Sequence, residues 1–299
     1  MQELGLLLVL LLETVKIENK EQSGIHKMIY KNIASVILIS TAFLCAKDNS
    51  LASQIPEVKP GILQGYLDTK TLPNSLNLIP VAPIQGSAAQ KLDNAISQKY
   101  IALQGTPRWE MATKDADLSF PNAAQIFSCA LGVPVNEELT PHLYLLLRRT
   151  VADAGLATYT AKKHYQRVRP FMLNRKPICT PEDREALKND GSHPSGHTAI
   201  GWAWALILTE IAPQHADAIL ARGRAFGKSR IICNVHWHSD VVEGRFIGAS
   251  AVAKLHSDTQ FLSDLEAAKQ ELASLYVKGV KSPNDCKFES DALAITKER

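Results

Sequence analysis

Residues 198–213 read TAIGWAWALILTEIAP, and this run decides the fold. It is apolar on nearly every side, so it describes a helix surrounded by other elements rather than one lying on a surface. It is too short to span a bilayer, it carries Glu210, and Pro213 closes it. Helical spacing recurs on both sides of it. From Ser87 a stripe of Leu92, Ile96 and Leu103 predicts a helix, and a shorter one is predicted over about 121–131. Thr140 and Pro141 form a cap and first turn, and Leu143, Leu146, Leu147, Val151 and Ala154 follow at helical spacing. That helix is predicted to run to Arg169, where Pro170 stops it. Further helices are predicted over 214–228, 236–256 and 258–277. No strand alternation of any length and no internal repeat is present. The expected class is all-α, a single-domain helical bundle over 84–277. A proline-rich extended lead-in over 53–83 precedes it, and a loosely ordered tail over 278–299 follows.

The chain has 299 residues, 45% hydrophobic and 21% charged, with a formal charge of +3. That charge is too small for a nucleic-acid protein, which carries a dense basic stripe. Basic residues do gather locally at Lys162, Lys163, Arg167, Arg169, Arg175 and Lys176. Residues 33–46 (IASVILISTAFLCA) form an apolar run after Lys27 and Lys31, with Ser50-Leu51-Ala52 beyond. This is the pattern of an export signal, with Met28 a natural start, so residues 1–52 are set apart from the fold as a leader and 28–52 as the signal peptide. The expected location is periplasmic or secreted. The four cysteines after the leader, Cys129, Cys179, Cys233 and Cys286, then suggest disulfides.

Three blocks carry the chemistry. They are Lys162-x6-Arg169-Pro170, Pro194-Ser195-Gly196-His197 and Ser229-Arg230-x5-His236-x3-Asp240. Lys162 and Arg169, two turns apart on one predicted helix, offer a point charge and a planar fork to an anion. Gly196 lets backbone approach a ligand at a helix N-terminus, and Ser195 adds a hydrogen bond. Asp240, one turn from His236, would fix the imidazole tautomer and leave a nitrogen lone pair free to attack. Zinc spacings also occur in His193-x3-His197 and His236-x-His238-x-Asp240, but the surrounding cations oppose a dication. The set suits a phosphoryl group, with no metal and no cofactor.

At these residues the chain resembles the bacterial class A non-specific acid phosphatases. They belong to the type 2 phosphatidic acid phosphatase and vanadium haloperoxidase superfamily. Every fixed position of the superfamily signature is present, and similarity extends over roughly 75–270, including SLNLIP at 75–80 and DADLS at 115–119. The resemblance implies an all-helical fold of that type. It implies His236 as nucleophile, Asp240 as its orienting group and His197 as general acid. Lys162, Arg169, Ser195, Gly196 and Arg230 would bind phosphate, without metal. It also implies possible phosphotransfer to alcohols, and a Cys179–Cys233 disulfide that leaves Cys129 and Cys286 as a second pair. His193 and His238 stand where relatives often carry other side chains, and their role is left open. The expected partners are small phosphomonoesters, with no nucleic acid and no membrane after signal cleavage. A homo-oligomer remains open. An apyrase-like diphosphohydrolase with the same site and a phosphate-binding protein without turnover are the alternatives.

Overall fold

In a computed structural model, residues 55–282 and 286–296 are described. The leader and signal reading of 1–52 lies outside them. All described residues fall in one compact unit, Ser50–Arg299. The order is β1 (Glu57–Lys59), β2 (Ile62–Leu63), α1 (Ser75–Leu78), α2 (Ala88–Ile101), α3 (Pro107–Lys114), α4 (Ser128–Leu131), α5 (Pro141–Leu156), α6 (Tyr159–Tyr165) and α7 (Pro170–Asn174). It continues with α8 (Arg184–Lys188), α9 (Gly196–Ile211), α10 (Ala216–Ile232), α11 (His238–Leu255), α12 (Thr259–Val277) and α13 (Cys286–Ala294). The fold is all-α apart from the small antiparallel pair β1–β2.

The helix read from 198–213 is α9, and it is central. It packs against α5, α10, α11 and α12. Trp204, Ala205, Ile207 and Leu208 are fully buried on it. Burying side chains of this size contributes about 1.5–3 kcal/mol each for the large aliphatic ones. Trp204 Nε1 donates to Leu147 O and Thr150 Oγ1, both at 3.1 Å, so even its polar atom is satisfied in the core. Gly244 lets α11 approach α9 closely, since a Cβ there would lie 2.6 Å from Ser195 O.

Four expectations are corrected. The helix opening at Pro141 does not reach Arg169. It ends at Leu156, the short α6 follows, and Gln166 at φ 42° turns the chain out of helix. Thr140 does not cap it either. Its hydroxyl donates to Asn136 O, and the carboxylate of Glu271 on α12 takes the amides of His142 and Leu143 at 2.9 and 3.0 Å. On α2 the buried residues are Asp93, Ser97 and Tyr100, whereas Leu92 is 55% exposed, because that helix turns a polar face inward. The tail is not loose throughout. Helix α13 packs against α3, and Cys286 lies 5.5 Å from Cys129, Cα to Cα, in disulfide geometry.

The extended lead-in is anchored in the fold at several points. Leu63, Leu67, Ser75 and Ile79 are buried in it. Asp153 accepts the amides of Tyr66 and Leu67, each at 3.0 Å, and Ser75 Oγ accepts the amide of Ala161 at 3.0 Å.

Candidate active site

The three blocks converge at one end of α9, but by another geometry than helical spacing suggests. Lys162 sits in the last turn of α6, while Arg169 lies in extended backbone before Pro170. They meet across space on Asp190, whose Oδ2 accepts from Lys162 Nζ at 2.9 Å and from Arg169 Nη2 at 2.8 Å. Lys162 Nζ also donates to Gly191 O at 2.6 Å, and Arg169 Nε donates to Leu187 O and Asp190 O, each at 2.9 Å. Burial and the charge of Arg169 push the Lys162 ammonium down to about 8. The other members of the basic cluster separate by environment: Lys163, Arg175 and Lys176 are exposed.

Ser195 caps α9, accepting from the Thr198 amide at 3.3 Å and the Thr198 hydroxyl at 2.9 Å. Its own amide donates to Asp240 O at 2.9 Å, which ties the loop to α11. Gly196 carries no side chain toward Lys162; a Cβ there would sit 3.9 Å from Lys162 Cε. His197, in the first turn, places Nε2 3.0 Å from Ala116 O, a carbonyl that only accepts, so Nε2 carries the proton and Nδ1 is the free position. Burial and the charge of Arg230 hold this imidazole well below its ordinary range.

His236 is not on the helix that holds Asp240. Helix α10 ends at Ile232, Asn234 takes φ 61°, and the amides of Val235 and His236 both return to Arg230 O at 3.2 Å. Asn234 is fixed to Asn174 by paired side-chain bonds of 2.8 and 3.0 Å, which dock this loop on α7. Helix α11 opens at His238, with Asp240 in its first turn accepting the Trp237 amide at 2.8 Å. The loop nonetheless sets His236 Nδ1 3.4 Å from Asp240 Oδ2 and Nε2 3.1 Å from Arg169 Nη1. A guanidinium only donates, so Nε2 presents its lone pair to Arg169 and the Nδ1 proton faces Asp240. Burial and Arg169 push His236 down to about 3 despite the pull of Asp240. Arg230 is buried with Nε and Nη1 lacking a protein partner, and burial with Arg169 lowers it to about 10. Ser229 faces away, donating to Asp115 at 2.6 Å.

Several contacts went unassigned in the sequence reading, although Arg167 and His193 were noted there. Arg167 Nη1 donates to Asp240 Oδ1 at 2.6 Å and Nη2 to Asp93 Oδ2 at 2.7 Å. His193, buried, places Nδ1 3.2 Å from Asp240 Oδ1 and Nε2 3.2 Å from Pro80 O. Burial alone would raise Asp240, but the adjacent His193 and His236 rings and the charge of Arg167 hold it well below the usual carboxylate range. His238 is half-buried beyond this network and is lowered by burial. Among the described residues no three metal-ligating side chains gather. Cys179 and Cys233 lie 4.8 Å apart, Cα to Cα, in disulfide geometry.

The PAP2 superfamily model matches residues 143–262, a span that holds all three blocks. A non-specific acid phosphatase of Providencia stuartii is 45% identical over 211 residues, 70% of this chain and 85% of the relative. An acid phosphatase of Zymomonas mobilis subsp. mobilis is 41% identical over 212 residues, 70% and 80% of the two chains. The chain belongs to the PAP2 superfamily, among its non-specific acid phosphatases. A member from Salmonella typhimurium is 41% identical over 200 residues, 67% of this chain and 80% of that one. A solved transmembrane PAP2 type phosphatidylglycerolphosphate phosphatase from Bacillus subtilis overlaps 58% of this chain and 87% of its own at 20% identity and a TM-score of 0.42. As a phosphatase the protein is an enzyme, which sets aside the binding protein without turnover. No described helix is long and apolar enough to cross a membrane. Pro80, Asp93 and Ala116, which contact His193, Arg167 and His197, lie outside the matched span.

Proposed function

We propose that the protein is an exported acid phosphatase that hydrolyses soluble phosphomonoesters through a phosphohistidine on His236, without a metal. The observation that carries this reading is the setting of His236: its Nδ1 lies 3.4 Å from Asp240 Oδ2, and its Nε2 lies 3.1 Å from Arg169 Nη1, a donor, which makes Nε2 the nitrogen without a proton. Nε2 attacks phosphorus, and the bond from phosphorus to the ester oxygen breaks. His197, protonated in the complex, gives the leaving alkoxide a proton from Nδ1. Lys162, Arg169, the two open nitrogens of Arg230, the Ser195 hydroxyl and the Gly196 amide hold the phosphoryl oxygens. Water then attacks phosphorus and gives its proton to His197. The phosphorus–nitrogen bond breaks, and inorganic phosphate leaves. An alcohol in place of water gives phosphotransfer. Export is supported by the signal pattern of 28–52 and by two cysteine pairs in disulfide geometry.

Rapid acid-free quenching with a phosphorus-labelled ester tests the mechanism. The protein is expected to retain a label that is stable to alkali, labile to acid, and lost in His236→Ala. Turnover with no labelled protein, or a label that persists in His236→Ala, refutes the intermediate.

A further inference from the structure

Asp190 holds an odd position for a carboxylate. Its Oδ2 receives an ammonium at 2.9 Å and a guanidinium at 2.8 Å. One anionic oxygen between those two cations is what a phosphoryl oxygen would present there. The residue is held in place by its backbone, since Asp190 O and the next carbonyl, Gly191 O, receive further bonds from Arg169 and Lys162. The two cations are sealed in, with side chains 4% and 2% exposed, while the Asp190 side chain is 34% exposed. The carboxylate can therefore swing outward without unpacking either cation. Gly196 leaves room next to Lys162, and Arg230, which lies close enough to Arg169 to be lowered by its charge, keeps two unpartnered nitrogens. A phosphate entering this slot brings like charge to within a few ångströms of the carboxylate, which is unfavourable.

We propose that the Asp190 carboxylate occupies one oxygen position of the phosphate site in the free enzyme, and that every phosphate ligand must displace it from Lys162 and Arg169. This rests on the reading above that those two cations hold the phosphate. Asp190 is then an affinity-setting residue. The competition bears hardest on inorganic phosphate, which has no leaving group to add contacts. Weak product inhibition follows.

The test is the competitive inhibition constant of inorganic phosphate against p-nitrophenyl phosphate, with calorimetric titration of phosphate as a measure independent of turnover. Asp190→Asn, nearly isosteric and uncharged, is expected to bind phosphate roughly three- to tenfold more tightly, the scale of one partly solvated ion pair. Asp190→Ser is read in parallel, and Lys162→Met is expected to weaken phosphate. If Lys162→Met weakens phosphate while both Asp190 variants leave it unchanged or weaker, displacement is overturned and the phosphate site stands. If Lys162→Met leaves phosphate binding unaltered, the site reading falls and the displacement with it.

Discussion

Arg167 Nη1 lies 2.6 Å from Asp240 Oδ1, and Nη2 of the same guanidinium lies 2.7 Å from Asp93 Oδ2. One cation thus joins two buried carboxylates and links α2 to the first turn of α11. Its planar fork makes the two bonds from two separate nitrogens in fixed directions, a geometry that a single ammonium nitrogen does not reproduce. Arg167→Lys is therefore expected to lower kcat by about a hundredfold, the scale of a 1 Å misplacement at a reacting centre, with a smaller change in KM. Kinetics read beside a thermal melt check it. A folded Arg167→Lys enzyme with normal kcat refutes the positioning role.

Loss of the two histidines should be distinguishable by substrate. His236→Ala is expected to remove turnover for every ester, because no nucleophile remains. His197→Ala should spare esters with good leaving groups, such as p-nitrophenyl phosphate, and fail on alkyl phosphates, whose alkoxides need a proton. Equal losses on both substrates would contradict His197 as the acid.

The pH profile follows from opposite demands on two depressed histidines. His236, at about 3, stays neutral and nucleophilic through mild acid. His197, held well below its ordinary range in the free protein, loses its proton early as pH rises. Entry of a phosphate anion counters Arg230 and raises it. The profile of kcat/KM is therefore expected to peak in acid and fall toward neutrality, with the kcat limb displaced to higher pH. A kcat/KM still rising above pH 8 contradicts this assignment.

The same burial has a sign for stability. A histidine with a lowered folded pKa binds its proton more readily when unfolded, so the folded state loses stability as pH falls below 6.5, down to about 3 for His236. Urea midpoints should drop across that window, and less so in His236→Gln. Midpoints that rise on acidification would contradict a neutral buried His236.

Chelation with excess EDTA is expected to leave activity intact, since protein cations meet the phosphoryl charge. Loss of turnover restored by zinc would overturn the metal-free mechanism. Cys179→Ser with Cys233→Ser is expected to cost about 4 kcal/mol in the chain-entropy model. Chemical denaturation of the double variant beside the oxidised wild type measures it.

The architecture was legible where composition is uniform, as along TAIGWAWALILTEIAP, because a helix without a polar face has no surface to occupy. The candidate site residues were legible because they sit in three short blocks dense in cations, histidines and a carboxylate. Their geometry was not. Lys162 and Arg169 share no helix, and His236 and Asp240 meet across a loop, because Gln166 and Asn234 adopt left-handed backbone that no spacing rule anticipates. Asp93 and Arg167 were missed for a related reason. A hydrophobic stripe is the signal for burial, and α2 buries a carboxylate instead.

His193 Nε2 lies 3.2 Å from Pro80 O and its Nδ1 lies 3.2 Å from Asp240 Oδ1, so a residue that precedes the helical core completes the surroundings of Asp240 and His236. A truncation from the N-terminus is therefore expected to be tolerated only if it spares the peptide through Pro80. A cut placed at the start of α2 would yield a polypeptide with every signature residue present and the seat of Asp240 incomplete. The network around Asp240 thus reaches beyond the stretch by which the family is recognised, residues 143–262.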